Sequence, residues 1–82
     1  MKLCVIGAGY VGVVTGVCFA NDGHQVTFID VDQEKIARLN DGVAPIYEEG
    51  LQDMLQHNQE QLRATDDYAA IENAEAIFIC VG

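Results

Sequence analysis

The sequence predicts an α/β fold in which a parallel sheet is wound in both directions from its first strand. Three observations carry this. Short apolar runs alternate with helical ones, a glycine-rich turn, G-A-G-Y-V-G (7–12), joins the first strand to the first helix, and the second strand ends on an acid, Asp30. Such alternation builds parallel sheets with right-handed crossovers.

Each element follows from local chemistry. Residues 2–6, K-L-C-V-I, form a short apolar run stopped by Gly7, the pattern of a strand buried on both faces. From Tyr10 to about Asn21 apolar residues recur densely, and N-D-G (21–23) supplies a helix stop. Q-V-T-F-I-D (25–30) alternates and is rich in β-branched and aromatic residues, so it reads as the second strand. Asp32 is suited to cap a helix over Q-E-K-I-A-R-L-N (33–40), with Ile36 and Leu39 on its inner face. V-A-P-I-Y-E-E-G-L (43–51) holds the only proline, Pro45, and reads as a loop. A helix from about Glu48 to Asn58 turns Leu51, Met54 and Leu55 inward. Q-L-R-A-T (61–65) is a short strand, Asp66 or Asp67 caps a brief helix through Ile71, and E-A-I-F-I-C-V (75–81) is the final strand. The expected sheet order is 3-2-1-4, the first four strands of a doubly wound sheet.

Composition narrows the function. Half of the 82 residues are hydrophobic and 21% are charged, which is the make-up of a folded chain. Thirteen acidic residues against four basic ones give a net charge of −9, a field that repels nucleic acid and anionic membrane surfaces. No acid precedes Asp22. Cys4, Cys18 and Cys80 are odd in number, widely spaced and set in apolar runs, so they read as buried, reduced thiols and not as disulfides, a nucleophile or metal ligands. His24 and His57 have no partner at ligand spacing and read as surface residues, and Tyr10 reads as a packing residue at the helix start.

Residues 3–20 carry no charge, and their length alone would suit a membrane span. Gly7 and Gly9 would break such a span where lipid offers no hydrogen-bond partner, and F-A-N-D-G-H is a poor signal-peptide cleavage site. The same glycines fit a phosphate cradle. G-x-G-x-x-G alone is a weak signal, but here a strand precedes it, a helix follows it, and Asp30 stands 18 residues beyond Gly12. Gly7 permits the tight turn, Gly9 lets a pyrophosphate approach the backbone, and Gly12 and Gly16 let the helix pack closely. The amides of Tyr10, Val11 and Gly12 then face the anion at the positive end of the helix. Asp30 suits the two adenosine ribose hydroxyls and would repel a 2′-phosphate, which favours NAD over NADP. Lys35 is close enough to assist, and Arg38 reads as a helix-surface charge.

Four segments together carry a family likeness. M-K-L-C-V-I-G-A-G-Y-V-G, F-I-D-V-D-x-x-K-I, L-N-D-G-V-A-P-I-Y-E-E-G-L and A-I-F-I-C-V-G resemble the N-terminal part of the UDP-glucose 6-dehydrogenases, within the UDP-glucose/GDP-mannose dehydrogenase family. The likeness covers essentially the whole chain, with Glu49 standing where many members carry proline. It implies a Rossmann-like NAD-binding domain, of which residues 1–82 would be a part. It implies oxidation of a nucleotide-sugar C6 hydroxyl to a carboxylate in two NAD-dependent steps, through a thiohemiacetal on a cysteine. Carried over by position, Tyr10 and Val11 touch the pyrophosphate through their backbone, Asp30 and Lys35 hold the ribose, and Val81 and Gly82 lie near the cofactor.

The family's catalytic residues have no counterpart among these positions, so no catalytic residue is assigned and no metal site is expected. The sugar is open among UDP-glucose, GDP-mannose and an N-acetylated UDP-hexosamine. A nucleotide-sensing module is the reading from another class, although it gives no reason for the P-I-Y-E-E-G-L loop. A thinly covered sheet face and a free apolar edge at 75–81 point to a homo-oligomer, and the reduced thiols to the cytoplasm.

Overall fold

A strand with a buried apolar run, Leu3–Val5, belongs between two others, and Lys2–Ile6 (β1) is an inner strand of the sheet. The computed structural model describes residues 1–80. After β1 come Tyr10–Asn21 (α1), Gln25–Ile29 (β2), Gln33–Asn40 (α2), Leu51–His57 (α3), Leu62–Thr65 (β3) and Ala76–Ile79 (β4). All strand pairs are parallel, in the order β3-β2-β1-β4 that the sequence predicts.

Helix α1 is apolar nearly all round, yet it buries one stripe: Gly12, Val13, Gly16, Val17 and Ala20. That stripe meets Val5, Val26 and Phe28 of the sheet, and Leu39, Leu51 and Leu55 complete the core from α2 and α3. Asp32 caps α2 as its position predicts, its side chain accepting from the amides of Glu34 and Lys35. The outer edge of β3 is closed by a side chain. Asn40 donates to the Ala64 carbonyl (2.9 Å) and accepts from the Ala64 amide (2.8 Å), as a further strand would.

The differences from the sequence reading have local causes. The second strand ends at Ile29, and Asp30 follows it. Helix α3 starts at Leu51 because Gly50 takes a left-handed conformation, φ +81°, that an L side chain adopts with strain. A 3-10 turn at Gln59–Gln61 shortens β3 by one residue, and the segment after Asp67 is a 3-10 helix, Tyr68–Asn73. Cys4 is buried as expected, and burial, partly countered by the charge of Arg63, pushes its thiol pKa up. Cys18, on the outer side of α1, is exposed, contrary to expectation. His24 is half-buried, edge-on to Phe19, with no hydrogen-bond partner for its Nδ1 among the described residues.

Among the described residues the second face of the sheet carries only the 68–73 segment, where Ala70 accepts from the Cys4 thiol. Ile77 and Ile79 of β4 are exposed there, as thin coverage predicts. Among the described residues no helix is long and apolar enough to cross a membrane, and the uncharged run is divided among β1, the turn and α1.

The close approach of α1 predicts a ranked pair of stability losses. A Cβ at Gly16 would lie 2.4 Å from the ring of Phe28. Gly16→Ala should therefore cost about 1–2 kcal/mol despite its gain in helix propensity. A Cβ at Gly12 would lie 1.9 Å from the Gly7 carbonyl oxygen, a backbone atom with nowhere to go. Gly12→Ala should cost about 3 kcal/mol or more. Urea titration of both variants checks the order, and a Gly12→Ala protein more stable than Gly16→Ala would contradict it.

Candidate cofactor-binding site

Parallel register brings the candidate residues to one edge. Ile6 lies beside Ile29 and Ile79, so Gly7, Asp30 and Cys80 leave their strands side by side. Gly7 turns the chain at φ +102°, which suits glycine, while its amide donates to the Ile29 carbonyl at 2.8 Å. Ala8 is fully buried, and Gly9 opens α1 in an extended conformation.

The start of α1 is left uncapped. Gly9 offers no side-chain acceptor, and the first turn holds no acid, whereas α2 has both Asp32 and Glu34. The amides of Tyr10, Val11 and Gly12 donate to no group among the described residues, the first helical bond being Val13 to Gly9 at 3.0 Å. A Cβ added at Gly9 would meet nothing within 4 Å. Open space beside free amides at a positive helix end is what a pyrophosphate fits.

Asp30 stands opposite. Its Oδ2 accepts from the Ala8 amide at 2.7 Å, and its Oδ1 accepts from the Asp32 amide at 2.9 Å. Partial burial pushes the carboxyl pKa up, but hydrogen bonds from the amides of Ala8, Asp32 and Val31 and the charge of Lys35 outweigh it. The pKa is held below its ordinary value. Each oxygen retains a lone pair for a hydroxyl donor. Lys35 is half-buried on α2 and acts on Asp30 through its charge. Arg38 pairs with Glu34 at 2.8 Å on the helix surface, as its sequence reading has it.

Gly7, Gly9, Tyr10, Val11, Gly12 and Asp30 thus converge, with Lys35 beside them. Val81 and Gly82 lie outside the described residues. Two contacts are absent from the sequence reading. The first is the Ala8 amide on Asp30. The second is the phenol of Tyr10, which is 53% exposed and donates to the Glu48 carboxylate. Tyr10 is therefore not the packing residue expected. Its hydrogen bond to Glu48, with desolvation and the charge of Glu48, holds the phenol above its ordinary pKa. The P-I-Y-E-E-G-L loop reaches the helix start by this contact. Its other end is stapled by Gln52, which donates to the Gly42 carbonyl and accepts from the Ala44 amide, both at 2.7 Å.

Known proteins share this fold. Residues 1–82 match the description "UDP-glucose/GDP-mannose dehydrogenase family, NAD binding domain". A UDP-glucose 6-dehydrogenase of Pseudomonas aeruginosa is 48% identical over 85 residues, covering 100% of this chain and 19% of that protein. A crystal structure of a ternary complex of GDP-mannose dehydrogenase from the same species superposes with a TM-score of 0.95 at 39% identity, covering 100% of this chain and 20% of the other. A UDP-N-acetyl-mannosamine dehydrogenase of Pyrococcus horikoshii superposes with a TM-score of 0.92 at 32% identity, covering 99% and 20%. The chain spans about a fifth of the length of these relatives.

The lowered Asp30 pKa predicts a pH-dependent stability term. Because the folded value lies below the unfolded one, the stabilisation is complete above the unfolded carboxylate range and is lost as pH falls through the folded value. In urea titrations, wild type should exceed Asp30→Asn at neutral pH and converge on it in acid. A gap independent of pH would contradict this.

Proposed function

This chain belongs to the UDP-glucose/GDP-mannose dehydrogenase family, and from that premise we propose that it holds NAD for the oxidation of a nucleotide sugar, UDP-glucose first among the candidates. The observation that carries the proposal is the ionised Asp30 set across from the uncapped start of α1. When bound, NAD supplies a hydride acceptor. The chain's own part is to bind and orient it. The amides of Tyr10, Val11 and Gly12 receive the pyrophosphate, and open space at Gly9 admits it. Asp30 accepts the ribose hydroxyls, with Lys35 beside them, and its charge repels a 2′-phosphate.

Support for UDP-glucose comes from curated UDP-glucose 6-dehydrogenases at 42–48% identity, while a solved UDP-glucose dehydrogenase and the GDP-mannose dehydrogenase are equally similar at 39%. GDP-mannose and an N-acetylated UDP-hexosamine are the alternatives. A domain continuing past these four strands fits both the one-fifth span and the bare sheet face. Self-association through the free edge of β4 would also cover that apolar surface. Sedimentation velocity showing a monomer at all concentrations would overturn self-association. The three free cysteines suit a reducing, cytoplasmic setting.

Calorimetric titration tests the cofactor assignment. NAD should bind at least about tenfold more tightly than NADP, with most of that difference lost in Asp30→Ala. Equal affinities for both, unmoved by the substitution, would overturn it. Gly9→Ala should stay within about 1 kcal/mol of wild-type stability yet bind NAD about tenfold more weakly, because its methyl group fills the space meant for the pyrophosphate. Unchanged NAD affinity would remove Gly9 from the site.

A further inference from the structure

We propose that Asp30 is a positioning residue for the anion-binding turn, its carboxylate fixing the G-A-G backbone through the amide of Ala8 as well as meeting the ribose. The inference rests on the cofactor reading and deepens it. The Oδ2 to Ala8 contact, 2.7 Å, spans 22 residues and ties the tip of β2 to the middle of the turn. Ala8 lies between two glycines, the most pliable neighbours a residue can have. The flanking bonds are Gly7 to Ile29 on one side and Val13 to Gly9 on the other. The Ala8 amide itself is held by Asp30. Ala8 is fully buried, so water is poorly placed to take over if the carboxylate is removed.

The carboxylate is fixed in turn. Oδ1 accepts from the Asp32 amide, and the Asp32 side chain caps α2. The start of α2, the tip of β2 and the phosphate turn are thus linked through one side chain. Ribose recognition and turn geometry then cannot be separated. A substitution that stops repelling a 2′-phosphate also frees the Ala8 amide and loosens the turn that grips the diphosphate.

Two probes separate the roles. ADP offers ribose hydroxyls and a diphosphate, and 2′,3′-dideoxy-ADP offers the diphosphate alone. In NMR titrations of the 82-residue chain, Asp30→Ala should weaken 2′,3′-dideoxy-ADP about fivefold or more. Loss of a negative charge near the site would by itself strengthen that binding, so the expected sign is diagnostic. Unchanged or tighter binding of the dideoxy ligand, with ADP weakened, would overturn the proposal and leave Asp30 as a ribose acceptor only.

A measurement on wild type guards against a variant that fails to fold. A scalar coupling across the hydrogen bond, from the Ala8 amide nitrogen to the Asp30 carboxyl carbon, should be observed, and its absence would overturn the proposal. Failure of wild type to bind ADP would instead overturn the cofactor reading, with the coupling still deciding this one.

Discussion

Helix α1 touches the turn before it backbone to backbone, and the site depends on that contact. With no side chain at residue 12, the first turn of the helix lies against the Gly7 carbonyl. The same closeness repeats one turn later, where Gly16 meets the ring of Phe28. Two bare positions four apart let the helix lie flat along β1 and β2, so Val13, Val17 and Ala20 reach the core without shifting its axis. The helix start therefore sits at the strand tips, its dipole aimed along the edge where Asp30 stands. Each larger side chain at 12 or 16 would lift the helix and turn that aim away.

Much of this was legible in the sequence, because the signals were local. The β1 run, the glycine turn and the Asp32 cap each concern residues close in the chain and fall where expected, and the acid read as the end of the second strand stands one residue beyond it. Element ends were less legible. The late start of α3 depends on the conformation of Gly50, and the segment after Asp67 is too short to settle into α-helical bonding. Contacts across long separations were not legible at all. Nothing in the pattern at Tyr10 announces Glu48, 38 residues on, or ties Ala8 to Asp30. The exposure of Cys18 was missed for a related reason: on a helix apolar all round, composition does not say which side meets the sheet.

Charge is distributed to suit the site. The net charge of −9 would discourage any anionic ligand if it were spread evenly, yet the first 21 residues contain no acid. The phosphate turn and α1 lie wholly within that stretch. Asp30 faces the turn with its negative charge shared with the amides of Ala8 and Asp32, and Glu48 reaches the helix start through the Tyr10 phenol. The remaining acids lie in the turn after α1 (Asp22), on and beside α2, in the 43–50 loop, on α3 (Asp53) and in the later turns. An anion can thus be drawn to the helix start despite the overall sign.

The paired hydrogen bonds of Asn40 with Ala64 have a consequence for how this sheet extends. One side-chain amide occupies the donor and acceptor that Ala64 would offer to a neighbouring strand, so that flank is blocked at its middle. Among the described residues, no strand lies on the outer side of β4. The two flanks of the sheet are therefore unequal: one is held by a side chain, and the other, among the described residues, ends at β4 with Ile77 and Ile79 exposed.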